Sequence, residues 1–88
     1  MNGCEGQSLY DAMLDHPDRL ASKSYVELAY QEVENEIERI ESRLGESLTA
    51  ERRRLDQEKP SWKFMTRSNI YQQTQLLIGM FRNTYSGR

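Results

Sequence analysis

Residues 24–44 read SYVELAYQEVENEIERIESRL, and this stretch decides the fold. Val26, Tyr30, Val33, Ile37, Ile40 and Leu44 recur at alternating spacings of four and three, which lines one face of an α-helix with apolar side chains. Ser24, followed three residues later by Glu27, predicts a capping box at the helix start, and Gly45 predicts a glycine stop at its end. In heptad terms Tyr30, Ile37 and Leu44 fall at a, and Val26, Val33 and Ile40 at d, the seam of a coiled coil or a partner-helix face. Extending the register puts Ser47 and Glu51 on the seam and leaves Leu48 one step out, so the regular seam stops at Leu44.

Beside the seam stand Glu27, Ala29, Glu34, Glu36, Glu41 and Arg43. A parallel copy of the same helix would set glutamates such as Glu36 and Glu41 against each other, whereas a basic helix alongside is favoured. The chain supplies one. Residues 1–51 carry twelve acids against four bases, net −8, and residues 52–88 carry eight bases against two acids, net +6. The reading is all-α: a small helical hairpin or bundle of three to four helices, with the acidic helix 24–44 packed against a basic C-terminal half. Arg52, Arg53, Arg54, Lys59, Lys63, Arg67 and Arg82 furnish its charge. A fully buried apolar side chain is worth about 1.5–3 kcal/mol and an exposed ion pair at most about 1 kcal/mol, so burial drives the fold and charge selects the pairing.

Outward from that helix, Ser8 with Asp11 reads as an N-cap and an acid in the first turn, followed by Leu9, Met13 and Leu14 as an apolar cluster. Pro17 keeps this first helix short. Residues 1–7 offer nothing to bury and read as a flexible arm. Past Gly45, Thr49-Ala50-Glu51 opens a further helix running toward Pro60; a continuous helix with a stutter at Gly45 is the less favoured alternative. Trp62-Lys63-Phe64-Met65 is dense in large apolar groups. The last helix starts at Thr66 or Ser68 and runs to about Thr84, with Ile70, Leu77, Phe81 and Tyr85 on its apolar face, Thr74 in the same row, and Ile78 and Met80 flanking. No repeat, linker or low-complexity tract divides the chain, so residues 1–88 are read as a single helical domain.

A chain of 88 residues buries only about 60% of the surface it exposes when unfolded, so its core is modest and self-association is expected. Cys4 is the only cysteine, which excludes an internal disulfide and favours a cytoplasmic setting. No charged start with an apolar run follows the first residue, and the longest apolar run is Leu76 to Phe81, so no membrane attachment is expected. His16, the sole histidine, sits beside a proline in an acidic turn, and neither it nor Cys4 has a local partner that would activate a nucleophile or base. One cysteine and one histidine cannot make a structural zinc site, and Glu34, Glu38 and Glu41 on one helix face read as a solvated surface. No catalysis, metal or cofactor is expected.

The basic segment 52–69 is the one candidate binding site. Arg52, Arg53, Arg54, Lys63 and Arg67 can hold phosphates, Trp62 can stack on a base, and Ser68 and Asn69 stand at a helix N-terminus, a natural place for an anion. The favoured reading of the same residues is a basic half paired with an acidic helix and an ordinary helix cap, and a pI near 5.4 is low for a dedicated nucleic-acid domain. The stretch from Trp62 to Phe81, following an acidic helix in so short a chain, resembles the last helix of compact phage proteins that sequester cyclic nucleotides. It covers about a quarter of the chain, includes no diagnostic run and carries over no residue roles.

Two functions follow as expectations. The first is a non-catalytic helical protein-interaction module, oligomeric, of the adaptor or inhibitor type encoded by phages and bacteria. Five tyrosines (Tyr10, Tyr25, Tyr30, Tyr71, Tyr85), good interface anchors, fit it. The alternative is a binder or sequesterer of a phosphorylated ligand, a cyclic nucleotide or nucleic acid, through residues 52–69.

Overall fold

Four helices, α1 (Leu9–Asp15), α2 (Lys23–Leu44), α3 (Thr49–Trp62) and α4 (Arg67–Tyr85), make up the computed structural model, which describes residues 8–87. The expected arm at residues 1–7 and Cys4 lie outside the described residues. Helix α2 is the hub: α4, α3 and α1 all pack on it, and α1 also packs on α4. The principal extents are 38 × 31 × 18 Å. The basic C-terminal half therefore lies against the acidic helix, as the charge division requires.

Each helix start has a local cause. Ser8 caps α1, its Oγ accepting the Asp11 N–H at 3.1 Å. Helix α2 is capped by Ser22, whose Oγ accepts the Tyr25 N–H at 3.1 Å, and not by Ser24 as the spacing to Glu27 predicts. The reason is tertiary: the Ala21 N–H donates to the Met65 carbonyl at 2.9 Å, so the chain leaves that bond extended and turns helical at the next residue. Glu27 is thereby freed for Lys59 on α3, 2.9 Å away. Thr66, the first of the two predicted starts, caps α4 by accepting the Asn69 N–H at 3.2 Å.

Between α2 and α3 the chain breaks rather than stutters. Gly45 takes φ 73°, the left-handed conformation that costs glycine nothing, and donates to the Glu41 carbonyl at 2.8 Å. Leu48, out of register for the seam, is buried because it lies beyond this turn, and its N–H is taken by the Glu41 carboxylate at 2.9 Å. Helix α3 runs through Pro60 to Trp62, two residues farther than expected. An interior proline costs about 3 kcal/mol or more, and the complete burial of the Trp62 ring in the following positions offsets it.

The core is one cluster drawn from all four helices. Val26, Val33, Ile37 and Ile40 of the predicted stripe are buried, but Tyr30 and Leu44 are only half-buried, while Tyr25, Ala29 and Glu36 join the buried set. The buried face is wider than a two-stranded seam because α2 meets helices on more than one side. On α1, Leu9 and Ala12 are buried while Leu14 is 54% exposed, a correction to the expected cluster. Five residues of helix rotate Leu14 about 140° away from Leu9. Ile70, Thr74, Leu77, Ile78, Phe81 and Tyr85 of α4 are buried as the pattern predicts, and Phe64 is out in solvent. Among the described residues no helix is long and apolar enough to cross a membrane.

Candidate functional site

The basic segment does not converge on one patch. Arg52 turns inward to α2, its Nη2 2.6 Å and its Nε 3.2 Å from the two carboxylate oxygens of Glu41, with Nη1 3.5 Å from Glu34. This two-point clasp, together with the Leu48 N–H, holds the Glu41 carboxyl below the usual carboxylate value of 4.5. Arg54 pairs along its own helix with Glu58 at 3.3 Å, and Lys59 reaches Glu27 while lying 4.4 Å over the ring of Tyr30. Tyr30 in turn donates to Asp56 at 2.7 Å, which pushes its hydroxyl up to about 12. Arg53 and Lys63 remain at the surface.

Arg67 is farther still from a ligand-facing position. Its Nη1 donates to the Ala12 carbonyl in α1 at 2.6 Å, and its guanidinium lies 5.4 Å from the ring of Tyr25. The Tyr25 hydroxyl donates back to the Arg67 carbonyl at 3.2 Å, and burial pushes that hydroxyl up to about 12. A cation set on a late carbonyl of α1 also complements that helix's negative end. Arg67 thus ties α1, α2 and α4 together.

The α4 N-terminus around Ser68 and Asn69 is closed by the chain itself. The N–H groups of Arg67 and Ser68 donate to the carbonyls of Arg19 and Pro17, both at 3.0 Å, and those of Asn69 and Ile70 to the Oγ1 and carbonyl of Thr66. These are the donors a bound anion uses. The segment after α1 fills the place of that anion, an occupant that the local sequence around Ser68 and Asn69 does not reveal.

Two surfaces stand out instead. Between the start of α2 and the end of α3 lies a groove of about 520 Å³ lined by Lys23, Val26, Asp56, Lys59, Pro60 and Lys63. Of these, only Lys63 is among the residues singled out as ligand-binding; Lys23 comes from the other half of the chain, and no linear pattern joins them. The second is the outward side of α4. Asn69, Gln72, Gln75, Leu76, Gly79, Met80 and Asn83 are exposed, with Leu76 at 65% and Met80 at 38%. From Ser68 to Phe81 the helix carries no charged residue, in a chain that is 30% charged. That gap is visible in the sequence as a crowd of uncharged polar residues; its exposure is not, because apolar Leu76 and Ile78 look alike until the helix is docked.

On the far side of α2, Glu36 is buried although the heptad puts it at a flank. Arg82 of α4 forks onto it, at 2.9 and 3.0 Å, and Arg39 adds a contact at 3.0 Å. The Arg82 guanidinium, above all, holds this carboxyl below its usual range against the opposing effect of burial. Among the described residues no group of three or more His, Cys, Asp or Glu side chains is arranged to hold a metal ion. His16 lies exposed at the C-terminal cap of α1. No protein family, curated protein or solved structure matches the chain.

Proposed function

We propose that this chain is a small non-catalytic interaction module that works in the cytoplasm by binding protein, as an adaptor or an inhibitor, and does so as an oligomer. The observation that carries the reading is the outward side of α4, which exposes Leu76 and Met80 on a helix face without charge from Ser68 to Phe81. Interface cores are marked by depletion of charge more than by bulk hydrophobicity. The exposed sides of α2 and α3 are charged by comparison, with Lys23, Glu27, Glu38 and Arg39 on one and Arg53, Arg54 and Asp56 on the other.

The test is a photoreactive residue placed at position 76, with position 53 on α3 as control, in bacterial cells expressing the full chain. Position 76 should crosslink to protein and position 53 should not. Equal capture at both positions, or none at position 76, overturns the reading.

A phosphorylated ligand is the second reading, and it has one observation in its favour. Lys23, Lys59 and Lys63 surround a groove that Val26 and Pro60 floor with apolar surface, a combination suited to a flat body bearing an anion. Fluorescence polarisation with a labelled cyclic nucleotide and a short oligonucleotide tests it: binding lost in Lys63→Gln supports the groove, and no binding by the parent chain disposes of it.

A further inference from the structure

We infer that the outward side of α4 binds a second copy of this chain, two α4 helices lying antiparallel about a twofold axis at Leu76. The inference rests on the interaction-module reading and names its partner.

A twofold contact brings the same patch of both copies together, so charges near the axis meet their own sign. Helices α2 and α3 expose charge of one or both signs, and α1 exposes Asp11 and Asp15. The exposed side of α4 avoids this penalty from Ser68 to Phe81, and Arg82, exposed just beyond it, is held on Glu36 of its own chain. Its polar residues, Asn69, Gln72, Gln75 and Asn83, are amides, each able to donate and to accept, so an amide meeting its own kind can be satisfied. Such a face offers a charged partner no electrostatic attraction, and it lets a copy of the chain approach without like charges meeting.

The spacing sets a register. With Leu76 on the axis, Gln72 faces Met80 of the partner subunit and Asn69 faces Asn83 of the partner subunit, all on one exposed side. A shallow groove of about 340 Å³ between Tyr71, Gln72, Gln75 and Leu76 receives the partner subunit's Met80. Gly79 stands in the same contact with nothing within 4 Å of where a Cβ would be, which lets the backbones approach. Antiparallel alignment also sets opposite helix dipoles side by side.

A helix of 19 residues is about 28 Å long, and one such pair buries less than the roughly 1,200 Å² of a standard stable interface. Pairing is therefore reversible and depends on concentration. Tyr10 and Tyr71, with ring centroids 5.5 Å apart at the margin of the groove, extend the contact.

Sedimentation velocity on the purified full chain, from micromolar to millimolar concentration, should show a monomer passing into a dimer. Leu76→Asp should weaken self-association at least tenfold with helicity and thermal midpoint unchanged, since Leu76 contributes to no core. For the register, Met80→Glu and Gln72→Lys should form a mixed dimer more readily than either variant pairs with itself. A parent chain that stays monomeric throughout, or a Leu76→Asp variant that dimerises like the parent, overturns the inference, and a mixture no better than its components overturns the antiparallel register. If the purified chain is monomeric while position 76 still crosslinks a different protein in cells, self-pairing fails and the interaction-module reading stands; if position 76 captures nothing, both fail.

Discussion

Helices α3 and α4 dock on the same helix, yet they are held by different physics. Helix α4 buries six side chains, Ile70, Thr74, Leu77, Ile78, Phe81 and Tyr85, while α3 buries only Leu55 and Trp62 within its span. What α3 lacks in apolar area it replaces with polar contacts to α2: Arg52 to Glu41 and Glu34, Lys59 to Glu27, and the Tyr30 hydroxyl to Asp56. Helix α4 also makes polar contacts with α2, Arg82 on Glu36, the Tyr25 hydroxyl on the Arg67 carbonyl and Arg43 on the Tyr85 carbonyl, but these sit beside a much larger buried apolar face. The consequence is seen on the outside. A helix that docks by charge displays charge, as Arg53 and Arg54 do, whereas a helix that docks by burial is free to carry an uncharged outer side, and that side is where a partner can sit.

The contrast can be broken most severely at Trp62. Trp62→Ala removes the largest fully buried side chain, the one that anchors the end of α3 beyond Pro60, and should cost about 3–5 kcal/mol by chemical denaturation. Hydrogen exchange on this variant should show α3 amides opening before those of α4; simultaneous opening of both helices would mean that α3 is not the more weakly held.

A smaller effect sharpens the comparison through pH. The folded protein holds the Glu41 and Glu36 carboxyls below the usual value of 4.5, so it binds their protons less readily than the unfolded chain does. Their stabilisation is complete above the usual value and is lost as pH falls through the folded-state values. The denaturation midpoint should thus drop on acidification below about pH 4.5. Glu41→Gln should start slightly lower at neutral pH and fall less steeply in acid, because the amide cannot form the ion pair with Arg52 but can still accept from the Leu48 N–H. Parallel acid profiles for the parent and Glu41→Gln would remove Glu41 from the account. The arginines of both pairs remain partly open to solvent, which screens the attraction, so this is the gentler of the two effects.

Much of this contrast is legible in the residues. The rows Val26-Val33-Ile37-Ile40 and Ile70-Leu77-Phe81 announce their buried faces because helical periodicity is a local property. Gly45 announces a chain reversal for the same reason. The basic segment is less transparent, since Arg52, Arg53, Arg54 and Arg67 look alike in sequence but fare differently: the first clasps Glu41, the second is exposed, the third pairs with Glu58, and the last binds the Ala12 carbonyl. Ser22 and Ser24 are likewise indistinguishable as caps until Ala21 is pinned to Met65.

The sequence by itself determined the helical class, the acidic helix and its basic cover, and favoured a break after Leu44 over a stutter, because spacing, capping residues and net charge act over a few neighbouring positions or over whole segments. Only the tertiary structure decided which cations are consumed in the fold, that the α4 N-terminus is filled by the Pro17 and Arg19 carbonyls, and that Leu76 and Met80 face outward. Those outcomes depend on hydrogen bonds and docking angles between residues dozens of positions apart, and a helix face has no inside or outside until its neighbours are in place.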